Sequence, residues 1–295
     1  MKIFDCTTFF KEKMMMDIRF NILNEYVSKF IVVESCFSHS GQKKELHFNI
    51  NDYPKFKEKI EYIIIENEPK DLFKDEELRK SSYHKRLNSI KRIEQSYEYM
   101  SHGLDSADDN DLILLSDNDE IPNLSSSSIN DLKNTDYVIF KQLFFYYKFN
   151  LFYDRIPWFG TKGCKKKKLK KFSSIRNLKN KRYPFWRLDT YFSDVKQNNL
   201  KIVEKGGWHF TNIKTPEELF DKFVNFGHHD EFELANIDLD KIKKKIFNKE
   251  VFYDHLADKE SSNKWSDNYK LKKIDLSYLP KYLAQNSEKF KDWLD

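Results

Sequence analysis

The sequence predicts an α/β fold, a Rossmann-like mixed and mainly parallel sheet flanked by helices. Three observations predict it. The apolar runs "FIVVES" at 30–35, "EYIIIEN" at 61–67 and "DLILLS" at 111–116 have the length and branching of buried strands. Stretches with apolar residues at helical spacing lie among them, and such alternation implies right-handed crossovers and parallel pairing. The third run ends in the acid cluster "SDNDE", and ligands of parallel sheets sit beyond the carboxyl ends of the strands.

Taken in order, "MKIFDCTTFF" alternates like a first strand. Residues 17–30 place Ile18, Ile22, Leu23, Tyr26 and Val27 on one helical stripe before "FIVVES". A long polar helix is expected from Ser82 to His102, with Leu87, Ile90, Ile93, Tyr97 and Met100 on its apolar stripe and Gly103 closing it. After Pro122 the pattern changes. Residues 136–153 are β-rich and aromatic, suited to a hairpin at the sheet edge or a pocket wall, and residues 162–172 read as a basic loop. "GGWHF" at 206–210 is a short strand. "TPEELFDKFVNF" opens a helix with Thr215 as N-cap, Pro216 at the first helical position and acids in the first turn. "YLPKYLAQNSEKFKDWL" reads as a closing helix.

Composition excludes several classes. Of 295 residues 39% are hydrophobic and 16% aromatic, with only 7 Gly and 7 Pro, which rules out a disordered or collagen-like chain. No run of about 18 apolar residues and no signal peptide is present, so a soluble protein without a transmembrane segment is expected. Cys6, Cys36 and Cys164 are odd in number and lack metal-ligand spacing, which places the chain in the reducing cytoplasm. A net charge of +5 does not by itself demand nucleic acid.

The stretch "LILLSDNDEIP" poses the chemical question, because Asp117, Asp119 and Glu120 crowd three carboxylates into four residues. They repel one another unless water or a cation separates them, so the cluster suggests a metal. An EF-hand loop counted from Asp117 fails, since Pro122 and Ser128 stand where Gly and Glu are needed. A two-metal hydrolase stays open. The D-x-D motif of a nucleotide-sugar transferase needs only a strand-end carboxylate pair holding Mn²⁺ or Mg²⁺, whose other positions take diphosphate oxygens.

"SDNDEIP" after an apolar strand, "GGWHF" followed by "TPEELFDKFVNFGHHDEF", the terminal "YLPKYLAQNSEKFKDWL" and the N-terminal "IFDCTTFFKEKMMMDIRFNILNEYVSKFIVVES" together resemble glycosyltransferase family 17, over nearly the whole chain and in order. The resemblance implies a GT-A type fold, a UDP-sugar donor (UDP-GlcNAc in the animal members), a divalent cation, a glycan acceptor and an inverting β-transfer. The sequence shows no internal repeat and no strong linker, so one domain over 1–295 is expected, with 1–122 as nucleotide-binding half, 123–240 as acceptor and metal-site half and 241–295 as helical C-terminal extension. The stem and membrane anchor of the animal members are not expected here.

Carried over, Asp117 and Asp119 match the metal-binding motif, Glu120 its acidic neighbour, and Trp208 and His209 the "GWH" element. Asp119 is expected to bind the metal directly and Asp117 to touch ribose or metal-bound water. Glu120 is either a partner of the metal ligands or a charge at a helix start. His209 completes the metal sphere or is a satisfied core residue, while Trp208 packs. Glu34 contacts the nucleoside or caps the next turn, and Thr7 to Phe10, with Thr7 and Phe9 foremost, flank uracil or belong to the core. Arg92 and Gln95 are placed near the donor. Lys205, Lys162, Lys214 and Lys222 are candidates for phosphate. The metal carboxylates occupy the phosphate side, so the base must come from elsewhere; "FGHHDEF" offers Asp230 and Glu231, beside His228 and His229. Removing the repulsion with Asp119→Asn is expected to raise the metal-free melting temperature. The alternative to a transferase is a nucleic-acid or polyanion-binding protein using the basic 162–172 segment, and no nucleic acid is expected under the leading reading.

Overall fold

The computed structural model of the chain describes residues 1–74, 76, 82–125, 132–225, 237–252, 255 and 268–295. Four parallel strands make the first half of the sheet: β1 (Ile3–Thr8), β2 (Lys29–Ser35), β3 (Ile60–Ile65) and β4 (Leu112–Ser116), in the order β3-β2-β1-β4. Their side chains alternate between two cores. Phe30 and Val32 of β2 face one, Ile31 and Val33 the other, and Leu112/Leu114 and Ile113/Leu115 of β4 divide the same way. Both faces are therefore buried, which is why these strands read as continuous apolar runs.

Helix α1 (Lys13–Leu23) covers the first face, and α2 (Ser82–Tyr99) the second. The first helix starts earlier than expected and stops at Leu23; Tyr26 and Val27 sit in the turn that follows, where their amides donate to the Leu23 carbonyl. The second ends in a tight turn, Met100–Gly103.

At β4 the sheet turns antiparallel through β8 (Trp158–Lys165), which in turn pairs with β6 (Tyr137–Tyr146). Lys162 to Lys165, expected in a basic loop, are the end of a strand; Gly163 opposes Leu114, and a Cβ on it would stand 2.5 Å from the Ile113 carbonyl. The remaining lysines form a turn, Lys166–Lys168, and lead into the short helix α3 (Phe172–Arg176).

The long strand β6 is interior rather than at the edge. It pairs with β8, β7 (Leu151–Phe152), β9 (Leu200–Val203) and β10 (Gly207–Thr211). Strand β10 also pairs antiparallel with β5 (Glu120–Pro122), which sets His209 opposite Glu120. Gly207 permits this pairing: its φ is +122° and an added Cβ would lie 2.2 Å from the Ile121 carbonyl. Helix α4 (Pro216–Asn225) begins as the sequence predicts, with a reciprocal cap in which the Glu218 amide donates to Thr215 Oγ1 (3.2 Å) and the Thr215 amide to the Glu218 carboxylate (2.9 Å).

Among the described residues beyond 240, the expected helical extension is only partly helical. It contains most of α5 (Leu239–Phe247), a two-residue edge strand β11 (Lys272–Lys273) and the short α6 (Lys281–Gln285). The closing helix breaks after Gln285, and Leu279, Leu283 and Phe290 seal the same core as α1. Among the described residues no helix is long and apolar enough to cross a membrane, and the three cysteines are free.

One charged pair lies inside this apolar frame. Asp5 in β1 and Arg19 in α1 are 1% and 0% exposed and form a two-pronged ion pair at 2.7 and 2.5 Å. Removing one partner leaves the other buried and uncompensated, so Arg19→Ala is expected to lower unfolding free energy in urea by about 3–5 kcal/mol. A loss below about 1 kcal/mol, the level of an exposed pair, would contradict this.

Candidate active site

The acid-rich turn after β4 is held from both sides by arginine. From below, Arg19 Nη1 donates to the Glu120 carbonyl (2.7 Å) and the Asp117 carbonyl (3.4 Å), so the pair that fixes α1 to β1 also shapes the turn. From the other side, Arg176 donates to Asp117 Oδ2 (2.6 Å) and reaches both Glu120 carboxylate oxygens (3.3 and 3.2 Å). Arg176 ends α3, which is pinned at both ends. Glu98 of α2 accepts from the Phe172 and Ser173 amides (3.2 and 2.9 Å), and Lys162 donates to the Arg176 and Leu178 carbonyls (3.1 and 2.8 Å).

Each acid has its own environment. Glu120 is fully buried, and burial pushes its carboxyl above the ordinary range even though Arg176 pulls the other way. It also accepts from the Asp117 amide (3.0 Å) and from the Trp158 indole (3.0 Å). Asp117 is half-exposed and accepts from the Tyr97 hydroxyl (3.2 Å) besides Arg176. Asp119 stands apart from that clamp, with one carboxylate oxygen 3.5 Å from His209 Nε2 and a side chain 16% exposed. Burial works to raise its pKa, but His209, Lys222 and Arg176 outweigh it and hold the carboxyl down to about 2.

His209 is buried, stacked on the Trp158 ring at 4.2 Å and against Phe144 at 4.6 Å. Its Nδ1 has no hydrogen-bond partner among the described residues. A satisfied core histidine would use both nitrogens.

A cavity of about 390 Å³ opens at the carboxyl ends of β1, β2 and β4. Asp117, Asp119, Phe9, Arg92 and Lys222 line it, so these expected residues meet there. Arg92 is also bound, to Glu68 (2.6 Å) and the His39 carbonyl (3.2 Å). Thr7 points into the protein and its neighbour Thr8 takes the lining position. Glu34 is not part of the lining. Its buried carboxylate accepts from Lys44 (2.7 Å), the His47 and Phe48 amides (2.9 and 3.0 Å) and Tyr62 (2.9 Å), so it secures the loop after β2. Lys205 is exposed in the β9–β10 turn, outside the lining, and Gln95 instead donates to the Asn67 carbonyl at 3.1 Å. Trp208 packs as expected and donates to the Tyr278 carbonyl (2.7 Å). Asp230, Glu231, His228 and His229 lie outside the described residues.

Several residues of the site gave no signal of their own. Glu12, beside the cavity, accepts from the Phe10 and Lys11 amides (3.1 and 3.0 Å) and Asn118 (2.7 Å) and pairs with Lys214 (3.3 Å). Burial opposes its ionisation, but Lys214, Lys222 and those amides keep its carboxyl below the ordinary range. Lys222, by contrast, is one of the expected phosphate candidates; it lines the cavity and donates to Asn212 at 2.9 Å. His39 lines it too, its pKa lowered to about 4 by burial despite Asp117 and Glu12, so its imidazole is neutral at pH 7.

The inner lysines of the basic run are engaged within the chain, whereas Lys168 and Lys170 are held only in solvent-accessible ion pairs. Lys162 is buried, its pKa pushed down to about 8 by burial and by Arg176, while Lys165, Lys167, Lys168 and Lys170 have acceptors within the chain.

The sequence model of glycosyltransferase family 17 matches residues 1–295. The chain belongs to glycosyltransferase family 17. It is therefore a glycosyltransferase, taking a sugar donor and an acceptor, and the mixed α/β sheet fits the GT-A expectation. No curated protein matches the sequence. Among solved structures the chain is similar to the crystal structure of 4-diphosphocytidyl-2C-methyl-D-erythritol synthase from Anaerococcus prevotii DSM 20548. The identity is 12%, over 74% of this family 17 chain and 93% of the other, and the TM-score is 0.35, too low to bear on activity.

The environment of Asp119 reverses one expectation. A carboxyl held near 2 in the folded chain, against 3.8 in the unfolded one, contributes stability that is present above 3.8 and lost as pH falls through about 2. Asp119→Asn is thus expected to lower metal-free stability at pH 7, by roughly 2 kcal/mol, and to cost little at about pH 2. Urea denaturation of both proteins across pH tests it; a variant more stable than the parent at pH 7 would restore the repulsion argument.

Proposed function

We propose that the chain moves a sugar, GlcNAc, from a UDP-sugar to a glycan hydroxyl, with inversion to a β-linkage and with Mn²⁺ or Mg²⁺ at Asp119. The family match carries the reaction class. One observation supports the finer reading: the ionised Asp119 carboxylate in the turn after β4, 3.5 Å from Nε2 of the His209 ring.

The donor set suits a hard cation, with one carboxylate and one imidazole. Among the described residues no three His, Cys, Asp or Glu side chains converge on a metal position, so other ligands would have to be diphosphate oxygens and water. Asp117, occupied by Arg176 and Tyr97, is left to ribose or metal-bound water. When bound, the cation would neutralise charge gathering on the departing diphosphate. Arg176 and Lys222, both lining the cavity, supply fixed positive charge to the same end, and Phe9 gives an apolar wall for the base. The free cysteines suit a reducing compartment, the cytoplasm in this reading.

An inverting displacement needs a proton acceptor within hydrogen-bond reach of the attacking hydroxyl. In this reading it is Asp230 or Glu231.

Release of UDP from UDP-GlcNAc is expected to require Mn²⁺ or Mg²⁺, to stop in EDTA and to be lost in Asp119→Asn. UDP with Mn²⁺ should stabilise the parent by about 2.7 kcal/mol at a hundredfold excess over Kd. Full turnover in EDTA would overturn the metal assignment. For the base, Asp230→Asn or Glu231→Gln should lower kcat by about 10²–10⁴-fold while UDP and Mn²⁺ binding persist. Near-normal kcat in both variants would remove these residues from the role.

A further inference from the structure

Five of the large apolar side chains most open to solvent fall within eight consecutive residues: Phe185 (73%), Trp186 (68%), Leu188 (75%), Tyr191 (63%) and Phe192 (91%). The loop that carries them is ordered. Arg187 grips Asp189 through two hydrogen bonds of 2.8 Å, Lys196 adds a third at 2.9 Å, and Thr190 Oγ1 donates to the Arg187 carbonyl (2.7 Å). An ordered loop that holds its rings in water is a contact surface rather than collapsed chain.

Charge names the partner. Residues 162–201 hold fourteen Lys and Arg against only Asp189 and Asp194, a net of +12 in a chain whose total is +5, so the rest carries −7. A cleft of about 300 Å³ adjoins the loop, lined by Lys167, Lys168, Lys170, Lys171 and Tyr191. The Lys168–Asp136 and Lys170–Asp194 pairs are exposed and weak, and Lys171 has no ion pair among the described residues.

We propose that the 185–192 loop and the lysine cleft beside it dock the protein on an anionic lipid surface, the rings and Leu188 entering the headgroup boundary and the lysines taking headgroup phosphates. Aromatic and aliphatic side chains with lysines at their flank are the interfacial pattern. A single-stranded nucleic acid fits less well: it needs rings along the cationic groove, whereas of the five only Tyr191 lines the cleft and Leu188 cannot stack. The surface stands independently of the transfer chemistry, although it runs on from α3, whose Arg176 lines the donor cavity.

Vesicle co-sedimentation tests it. The protein should bind phosphatidylcholine vesicles containing about 30% phosphatidylglycerol, bind pure phosphatidylcholine weakly, and release at about 0.5 M salt. Trp186 emission should shift to the blue on binding, and Trp186→Phe should remove the shift. Phe185→Ser with Phe192→Ser should abolish sedimentation, and Lys170→Gln with Lys171→Gln should weaken it by roughly thirtyfold, both without change in melting temperature. No binding to anionic vesicles would overturn the proposal. So would vesicle binding that survives both variants, or vesicle-free behaviour in which the same variants abolish binding to oligo-dT or a dimer seen by sedimentation.

Discussion

The arrangement depends on how three neighbouring carboxylates are kept together at one strand end. Like charges this close raise each other's pKa and push the turn open unless cations are supplied. Here the supply is internal. Arg176 spans Asp117 and Glu120, and Arg19, already paired with Asp5, holds the carbonyls of the same turn. The turn is thereby tied to β1, α1, β8 and α3 at once, because Lys162 and Glu98 anchor the helix that delivers Arg176.

That clamp divides the acids by role. Glu120, buried and bonded to Trp158, Arg176 and the Asp117 amide, supports the turn. Asp117 is held by Arg176 and Tyr97 at the cavity wall. Asp119 alone is left with its charge directed to Nε2 of His209 and to Lys222, and is strongly ionised. Trp158 joins the two halves: its indole N–H holds Glu120 while its ring stacks on His209. Stability and the proposed cation site therefore draw on the same contacts. Buried charges are costly to strand, so substitutions here affect fold and activity together.

Much of this was legible in the sequence, and what was missed has a common cause. Buried parallel strands announce themselves through local apolar runs, and the strand-end position of Asp117 and Asp119 follows from that pattern alone. His209 came from the "GWH" element, and Gly207 shows why that element needs its glycine. From sequence the acid cluster suggests a metal, whereas the cation found between Asp117 and Glu120 is the Arg176 guanidinium. Arg19 and Arg176 lie 98 and 59 residues from Asp117, and neither has a spacing that marks it. The lysine run misled for a related reason: charge suggested a solvated loop, whereas Lys162 to Lys165 form a strand beside β4 whose glycine fits only against backbone. Glu34 sits at a strand end like the acids of the site, yet four donors from its own loop and from Lys44 and Tyr62 engage it fully.

The central claim is that a guanidinium, not a metal, holds the acid turn closed, and the stability of Arg176→Met in EDTA tests it most directly. Loss of the partly exposed Arg176 should lower unfolding free energy in urea by about 2 kcal/mol with no metal present, and saturating Mn²⁺ should not restore it. Unchanged stability in EDTA, or full recovery on adding Mn²⁺, would contradict the account.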